Sequence, residues 1–178
     1  MKQKILIVGS SNVDFVVGVR EMPLPGETLM GSSFDNVPGG KGANQACACG
    51  RLGGDSVFLS CVGRNAQGDM LLESLRGAHV DTSRMRVLEG VPTGMAFITV
   101  NGAGENSIVV IPGANTACDI GYFEANEEAV QEAGIVLAQL ETPAEDVYWL
   151  LKKAHSLRKL TILNPAPAPE SLPEDVLP

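Results

Sequence analysis

The segment from Pro38 to Gln45 places two glycines, a cation and a carboxamide at the start of a predicted helix. Glycine lets a ligand approach the backbone closely, and the N–H groups of a helix N-terminus favour oxygen-rich ligands. Lys41 adds a hydrogen-bond donor, and Asn44 can both donate and accept. The segment predicts a pocket lined by Gly40, Lys41, Gly42 and Asn44. An ordinary glycine-rich helix start is the alternative that these residues leave open.

Polar residues also come directly after the apolar runs that predict β-strands. They are Asn12, Asp14, Glu141 and Asn164. In open α/β sheets, ligands bind outside the carboxyl ends of the strands. Carboxylates accept hydrogen bonds from hydroxyl groups, and carboxamides both donate and accept, which suits a polyhydroxylated ligand. Each of these residues could instead cap a turn.

The sequence does not match either of two common nucleotide-binding motifs at the positions that each motif requires. A P-loop requires glycine where this chain has Asp35, and Ser or Thr where it has Gly42. A dinucleotide fingerprint would require a third glycine at the position of Ser107, after Gly102 and Gly104. Neither site is predicted in this chain.

Composition limits the class of protein. The 178 residues are 44% hydrophobic and carry a net charge of −8, which argues against a general nucleic-acid or anionic-membrane binder. No apolar run approaches the roughly 18 residues of a membrane span, and the N-terminal run is typical of a buried strand in a cytoplasmic protein. Zinc spacing is absent, so the four cysteines (Cys47, Cys49, Cys61 and Cys118) are expected to be buried free thiols.

Alternating strand and helix patterns predict an α/β fold, a doubly wound and mostly parallel sheet. Residues 4–9 and 56–63 are apolar runs typical of buried strands, and residues 40–52 and 68–75 have helical periodicity. A stripe of small residues on the first helix would let it lie close to the sheet.

Residues 93–111 interrupt this rhythm with two strand patterns around a glycine-rich connection, which predicts a β-hairpin. Such a hairpin could serve as a lid, with further lid strand between residues 15 and 36. After it, the pattern predicts a helix near 121–133, a strand over 135–140 and a helix over 143–157 capped by Thr142.

A resemblance emerges when the motifs are taken in order. They are Gly9 to Asp14, Pro25 to Thr28, Gly39 to Gln45, Thr93-Gly94, Asn101-Gly102 with Gly104 to Asn106, Gly113 to Asn115, Gln139 to Glu141, and Asn164 to Pro167. The ordered set resembles the ribokinase group of the phosphofructokinase-B-type carbohydrate kinase family, over almost the whole chain.

The resemblance implies a role for each matching residue. It implies that the substrate is bound by Asn12, Asp14, Gly40, Lys41, Gly42, Asn44 and Glu141. It implies transfer of the γ-phosphate of ATP to the 5-hydroxyl of D-ribose, with Mg²⁺ as cofactor, and it leaves a monovalent cation open. The hairpin resembles part of a lid that pairs subunits into a homodimer.

The chain departs from the family pattern beyond the sugar-binding motifs. The Gly-Ala-Gly-Asp motif that carries the family's catalytic base is absent, and Asn126 lacks the glutamate needed for the family's Asn-x-x-Glu motif. Residues 1–178 are therefore expected to be the N-terminal part of a ribokinase-like domain, truncated before the nucleotide-binding part. No catalytic or metal-binding residue is assigned in this chain. The alternatives are a non-catalytic ribose-binding or dimerisation fragment and a nucleoside kinase of the same family.

Overall fold

The computed structural model describes residues 3–176, in which ten strands and five helices are formed. The strands are β1 (Lys4–Val8), β2 (Asn12–Gly18), β3 (Ser33–Gly39), β4 (Asp55–Leu59), β5 (Cys61–Gly63), β6 (Arg86–Leu88), β7 (Gly94–Val100), β8 (Asn106–Ile111), β9 (Ile135–Gln139) and β10 (Leu160–Asn164). The helices are α1 (Lys41–Arg51), α2 (Ala66–Gly77), α3 (Ile120–Glu124), α4 (Glu127–Glu132) and α5 (Ala144–Ser156). Short 3₁₀ turns lie at Gly113–Ala117 and Glu174–Val176.

The main sheet consists of four parallel strands in the order β10-β9-β1-β4. β1, one of its two central strands, is apolar at successive positions because both faces of the sheet are covered, and its Leu6 and Ile7 are fully buried. Ile7 packs with α1 and α2 on one face, whereas Leu6 packs with α3, α4 and α5 on the other. The predicted doubly wound α/β fold is confirmed.

A second sheet, called here the outer sheet, has the order β3-β2-β7-β8. The predicted hairpin is confirmed as β7 and β8, which pair antiparallel. β2 joins the hairpin to β3, because it pairs parallel with β7 and antiparallel with β3. The hairpin is therefore half of a four-stranded sheet, and its partners come from residues near the N-terminus.

Three local predictions need correction. The strand expected over 56–63 divides at Ser60, because β4 stays in the main sheet while β5 leaves it to pair with β6. The helix expected near 121–133 divides into α3 and α4, where the Asn126 side chain donates a hydrogen bond to Tyr122 O. Thr142 does not cap α5; the residue at the N-cap is Pro143, and the Thr142 hydroxyl has no partner among the described residues.

All four cysteines are free, as predicted, but only Cys61 and Cys118 are buried. Cys47 and Cys49 are half-buried on α1. Among the described residues, no helix combines the length and apolar character that crossing a membrane requires.

Candidate functional site

A cavity of about 640 Å³ lies between the carboxyl ends of the main-sheet strands and one face of the outer sheet. Its polar lining comes from Asn12, Asp14, Gly40, Lys41, Asn44, Asn115, Thr116, Glu141 and Thr142. Its apolar lining comes from Ala96, Ile98, Ile108, Val110, Pro112, Leu140, Pro143 and Pro167. Strand pairing explains the apolar wall, because Ala96 lies opposite both Asp14 and Val110 and shares their face of the outer sheet.

On the cavity floor, Glu141 connects the start of α1 to the turn after β1 through hydrogen bonds. Gly40 occupies the N-cap of α1 at φ 92°, a left-handed conformation that favours glycine, and it turns the first helical N–H inward. Lys41 N–H then donates to Glu141 Oε2 at 3.0 Å, and the Lys41 ammonium donates to Oε1 at 2.7 Å. The Ser10 hydroxyl also donates to Oε2, at 2.6 Å. Burial opposes ionisation of Glu141, but these donors outweigh it and lower the pKa of its carboxyl.

Asp14 is the cavity-lining carboxylate that has no hydrogen-bond partner among the described residues. It is half-buried, and no described residue donates a hydrogen bond to its carboxylate. Burial raises the pKa of Asp14, the nearby charge of Glu141 raises it further, and Lys41 opposes both. The structure thus presents a partly desolvated carboxylate whose hydrogen-bonding capacity is free for a ligand.

Asn12 is held by a residue that the sequence analysis did not select. The Asn115 side chain donates from Nδ2 to Asn12 Oδ1 at 2.7 Å and accepts from Ser11 N–H at 2.9 Å. Both carboxamides are almost fully buried, with 3% of Asn12 and 2% of Asn115 exposed. Asn115 belongs to the Gly113 to Asn115 segment of the resemblance, which was the only signal that pointed to it.

The structure places the remaining predicted residues in different positions. Asn44 lies on the exposed side of α1 and lines the cavity. Gly42 lies behind the cavity wall, where a Cβ would come within 2.6 Å of the Gly9 carbonyl carbon, so it permits close contact between α1 and the turn after β1. Asn164 ends β10 and is not among the residues that line the cavity.

The arrangement suits a small neutral molecule with several hydroxyl groups. Hydroxyls can pair with the carboxylate and carboxamides of the floor, while the C–H faces of the molecule can pack against the apolar wall. The described residues form no cluster of three or more His, Cys, Asp or Glu side chains that could hold a metal ion. Glu141 is already engaged by Lys41 and Ser10, so the cavity does not fit Mg²⁺, and no step through that ion is derived from it.

The family is decided by a match over almost the entire chain. Residues 2–177 match the model of the family described as "pfkB family carbohydrate kinase". The chain belongs to this kinase family. Its ribokinase relative from Staphylococcus aureus (strain COL) is 39% identical over 180 residues, which cover 99% of this chain and 58% of that protein.

Solved structures show the same fold. A ribokinase from Thermotoga maritima matches with a TM-score of 0.86 and 34% identity, over 98% of this chain and 56% of that one. An Arabidopsis thaliana ribokinase, solved as a complex with ribose and ATP, matches with a TM-score of 0.83 and 31% identity, over 93% of this chain and 54% of that one. This kinase-family chain therefore spans a little over half the length of these relatives.

The opposite pKa shifts of Asp14 and Glu141 predict how ligand binding depends on pH. The pKa of Asp14 is raised, so its carboxylate takes up a proton at a higher pH than an ordinary aspartate and then ceases to be an ionised acceptor. The pKa of Glu141 is lowered, so its pairing with Lys41 persists to lower pH. Affinity for a ligand that donates hydroxyl groups to Asp14 is therefore expected to fall as the pH is lowered from neutral, beginning at a higher pH than for an ordinary aspartate, while the fold remains intact.

Isothermal titration calorimetry from neutral towards acidic pH would measure the affinity, with circular dichroism to monitor the fold. The Asp14→Asn variant is the matched control, since its weaker affinity should not change with pH in this window. An equal acid-dependent loss in Asp14→Asn would assign the titration to another group.

Proposed function

We propose that the protein containing this chain is a sugar kinase that transfers the γ-phosphate of ATP to the 5-hydroxyl of D-ribose. The observation that carries the proposal is the free carboxylate of Asp14 beside the Lys41–Glu141 pair, under an apolar wall. The ribokinase names of its relatives and the ribose and ATP of the Arabidopsis complex support this choice of substrates.

In this proposal, each residue of the cavity floor has a distinct task. Asp14 accepts hydrogen bonds from sugar hydroxyls, and Asn12 and Asn44 supply carboxamides to the same ring. Lys41 has Glu141 on one side and leaves its other ammonium hydrogens for a hydroxyl or for developing negative charge. Gly40 and Gly42 keep the start of α1 close enough for these contacts.

ATP and Mg²⁺ belong to the proposed reaction of the whole protein. Phosphoryl transfer depends mainly on positioning and on electrostatic stabilisation of the phosphates, with a carboxylate base to activate the attacking hydroxyl. The sequence of residues 1–178 contains no Gly-Ala-Gly-Asp motif to supply that base. We expect this chain by itself to bind the sugar and to leave it unphosphorylated. A cytoplasmic location likewise stays a prediction.

Calorimetry on the 178-residue chain tests the proposed substrate. D-ribose is expected to bind, D-glucose is the control sugar, and adenosine tests the nucleoside alternative. The 640 Å³ cavity keeps that alternative in the experiment, because pockets of roughly 300–1,000 Å³ accommodate ligands larger than a pentose. Adenosine binding that excludes ribose at much lower concentration would replace the sugar kinase by a nucleoside kinase. Binding of neither would remove both proposals.

The outer sheet is proposed to act as a lid and as the contact between two copies of the chain. Its face opposite the cavity exposes apolar side chains: Phe97 is 46% and Val109 is 62% exposed. Phe15 stacks between Phe34 and Phe97, which gives this face a continuous aromatic surface. Exposed apolar patches of this kind mark interaction sites in soluble proteins.

Phe97→Lys is expected to convert the dimer into monomers, because a lysine at the centre of this face would place an unpaired charge in the interface. Light scattering coupled to size exclusion would measure the mass. Ile98→Lys is the informative comparison, since Ile98 lies on the cavity face and its replacement should act mainly on sugar binding. If wild-type protein is monomeric, or if Phe97→Lys stays dimeric, the outer sheet is not the contact.

A further inference from the structure

The hydrogen bonds around Asn115 fix which end of each carboxamide faces its neighbour. A backbone N–H can only donate, so the atom of Asn115 that meets Ser11 N–H at 2.9 Å must be its carbonyl oxygen. The amino group of Asn115 is then directed to Asn12 Oδ1 at 2.7 Å and to Ser11 O at 3.3 Å. Two acceptors on one amino group leave no ambiguity about the orientation of Asn115.

The hydrogen bond from Asn115 also fixes the orientation of the Asn12 carboxamide. Its oxygen is used by Asn115, so its amino group is the end that remains for a ligand. No described residue accepts a hydrogen bond from that amino group, and it is not sealed inside the protein. Asn12 therefore faces the cavity as a donor.

The backbone beside Asn12 and Asn115 leaves no space for an additional side chain. Gly94 begins β7 beside Asn12, and a Cβ at Gly94 would lie 2.2 Å from Asn115 Nδ2 and 2.2 Å from Asn12 Oδ1. Ser11 is held in turn by its hydroxyl, which contacts the Ser60 hydroxyl at 2.8 Å inside the protein. The absence of a side chain at position 94 therefore lets the two carboxamides meet, and Ser11 N–H fixes which end of Asn115 faces Asn12.

We propose that Asn115 is a positioning residue that makes Asn12 a hydrogen-bond donor towards the substrate. Asp14, two residues along the same strand and on the same face, is the complementary acceptor at a spacing of roughly 6–7 Å. The site would then select neutral sugars in which one hydroxyl accepts from Asn12 and another donates to Asp14. This inference rests on the proposed sugar-binding function and specifies which residue donates a hydrogen bond to the sugar and which accepts one.

A double-mutant cycle tests whether Asn115 acts through Asn12. Asn115→Asp retains an acceptor for Ser11 N–H but places a second oxygen against Asn12 Oδ1, which should turn the Asn12 amino group away from the cavity. Affinity for D-ribose is expected to fall about tenfold in calorimetry. In an Asn12→Ala background, the same change should alter affinity by less than about twofold, because the two effects are not additive.

If Asn115 had a purely structural role, Asn115→Asp would lower the affinity for D-ribose equally in the Asn12→Ala background. Asn126→Asp is the matched control, because Asn126 also donates a side-chain hydrogen bond to a carbonyl but lies outside the cavity lining. Its ribose affinity should equal that of the wild type. Circular dichroism on every variant identifies those that fail to fold.

Hydrogen exchange of the side-chain amides, followed by NMR, gives a readout that needs no ligand. The Asn115 amino protons should be protected in the wild type and in Asn12→Asp, whose carboxylate still accepts, and should exchange faster in Asn12→Ala. Unchanged exchange in Asn12→Ala would overturn the inference whatever the substrate. If the wild type binds another sugar and not ribose, the proposed substrate is wrong. The double-mutant cycle is then measured with that sugar, and its result still tests the role of Asn115.

Discussion

Asp14→Asn is expected to weaken binding of D-ribose by roughly 10- to 100-fold and to leave the domain folded. The carboxylate is half-buried and has no donor among the described residues, so the hydrogen bonds proposed between it and the sugar would be charge-assisted and would lack a competing partner. Asparagine keeps the shape but replaces one acceptor oxygen by a donor. Because the charge is already disfavoured by burial, its removal should not destabilise the fold.

Calorimetry with ribose measures this effect, and Asp35→Asn is the matched control. Asp35 lies on β3 of the same outer sheet, is exposed and does not line the cavity, so its substitution removes one charge without touching the site. A ribose affinity of Asp14→Asn equal to that of Asp35→Asn would remove Asp14 from the substrate contacts.

Gly42→Ala is expected to lower both the stability of the fold and the affinity for the sugar, because the added methyl group would clash with backbone atoms. Its Cβ would lie 2.6 Å from the carbonyl carbon and 2.7 Å from the amide nitrogen of the Gly9–Ser10 peptide, and backbone atoms there cannot move without shifting the turn. Overpacking of this kind lowers the free energy of unfolding by roughly 1–3 kcal/mol. α1 would also tilt away and separate Lys41 from Glu141, which should reduce sugar affinity.

Thermal unfolding and calorimetry together test this prediction, with Gly77→Ala as control. Gly77 is the last residue of α2 and has no atom within 4 Å of the position of an added Cβ. Alanine there should be neutral or stabilising, by up to about 1 kcal/mol, through helix propensity alone. Equal melting temperatures for the two variants would show that the contact between α1 and the turn is not tight.

The exposed edge strand of the main sheet, β10, could allow copies of the chain to associate in solution. β10 pairs only with β9 within residues 3–176, and Leu160 is 58% exposed. An exposed apolar edge strand is a template for pairing with further strands or with other chains. Variant proteins should therefore be compared at one concentration, so that association at this edge does not appear as a difference in stability.

Local sequence patterns were sufficient for the elements and for several residues of the site. Continuous apolar runs indicated the strands of the main sheet, because parallel strands covered on both faces have no polar side to alternate with. The polar residues after those runs indicated Glu141, which follows β9, and Asp14, although Asp14 lies inside β2 of the outer sheet and not at the end of a main-sheet strand. The glycine-rich helix start indicated Lys41. These signals are contained within short stretches of chain.

Tertiary structure alone decided the partners and their orientation. Ser11 and Asn115 are 104 positions apart, and Lys41 and Glu141 are 100 positions apart, so no local pattern could pair them. Strand order placed Asp14 beside Ala96 and made the hairpin part of a four-stranded sheet. Propensity and periodicity act between neighbours in the chain, whereas the donor end of Asn12 is set by a hydrogen bond that exists only after the sheets have assembled.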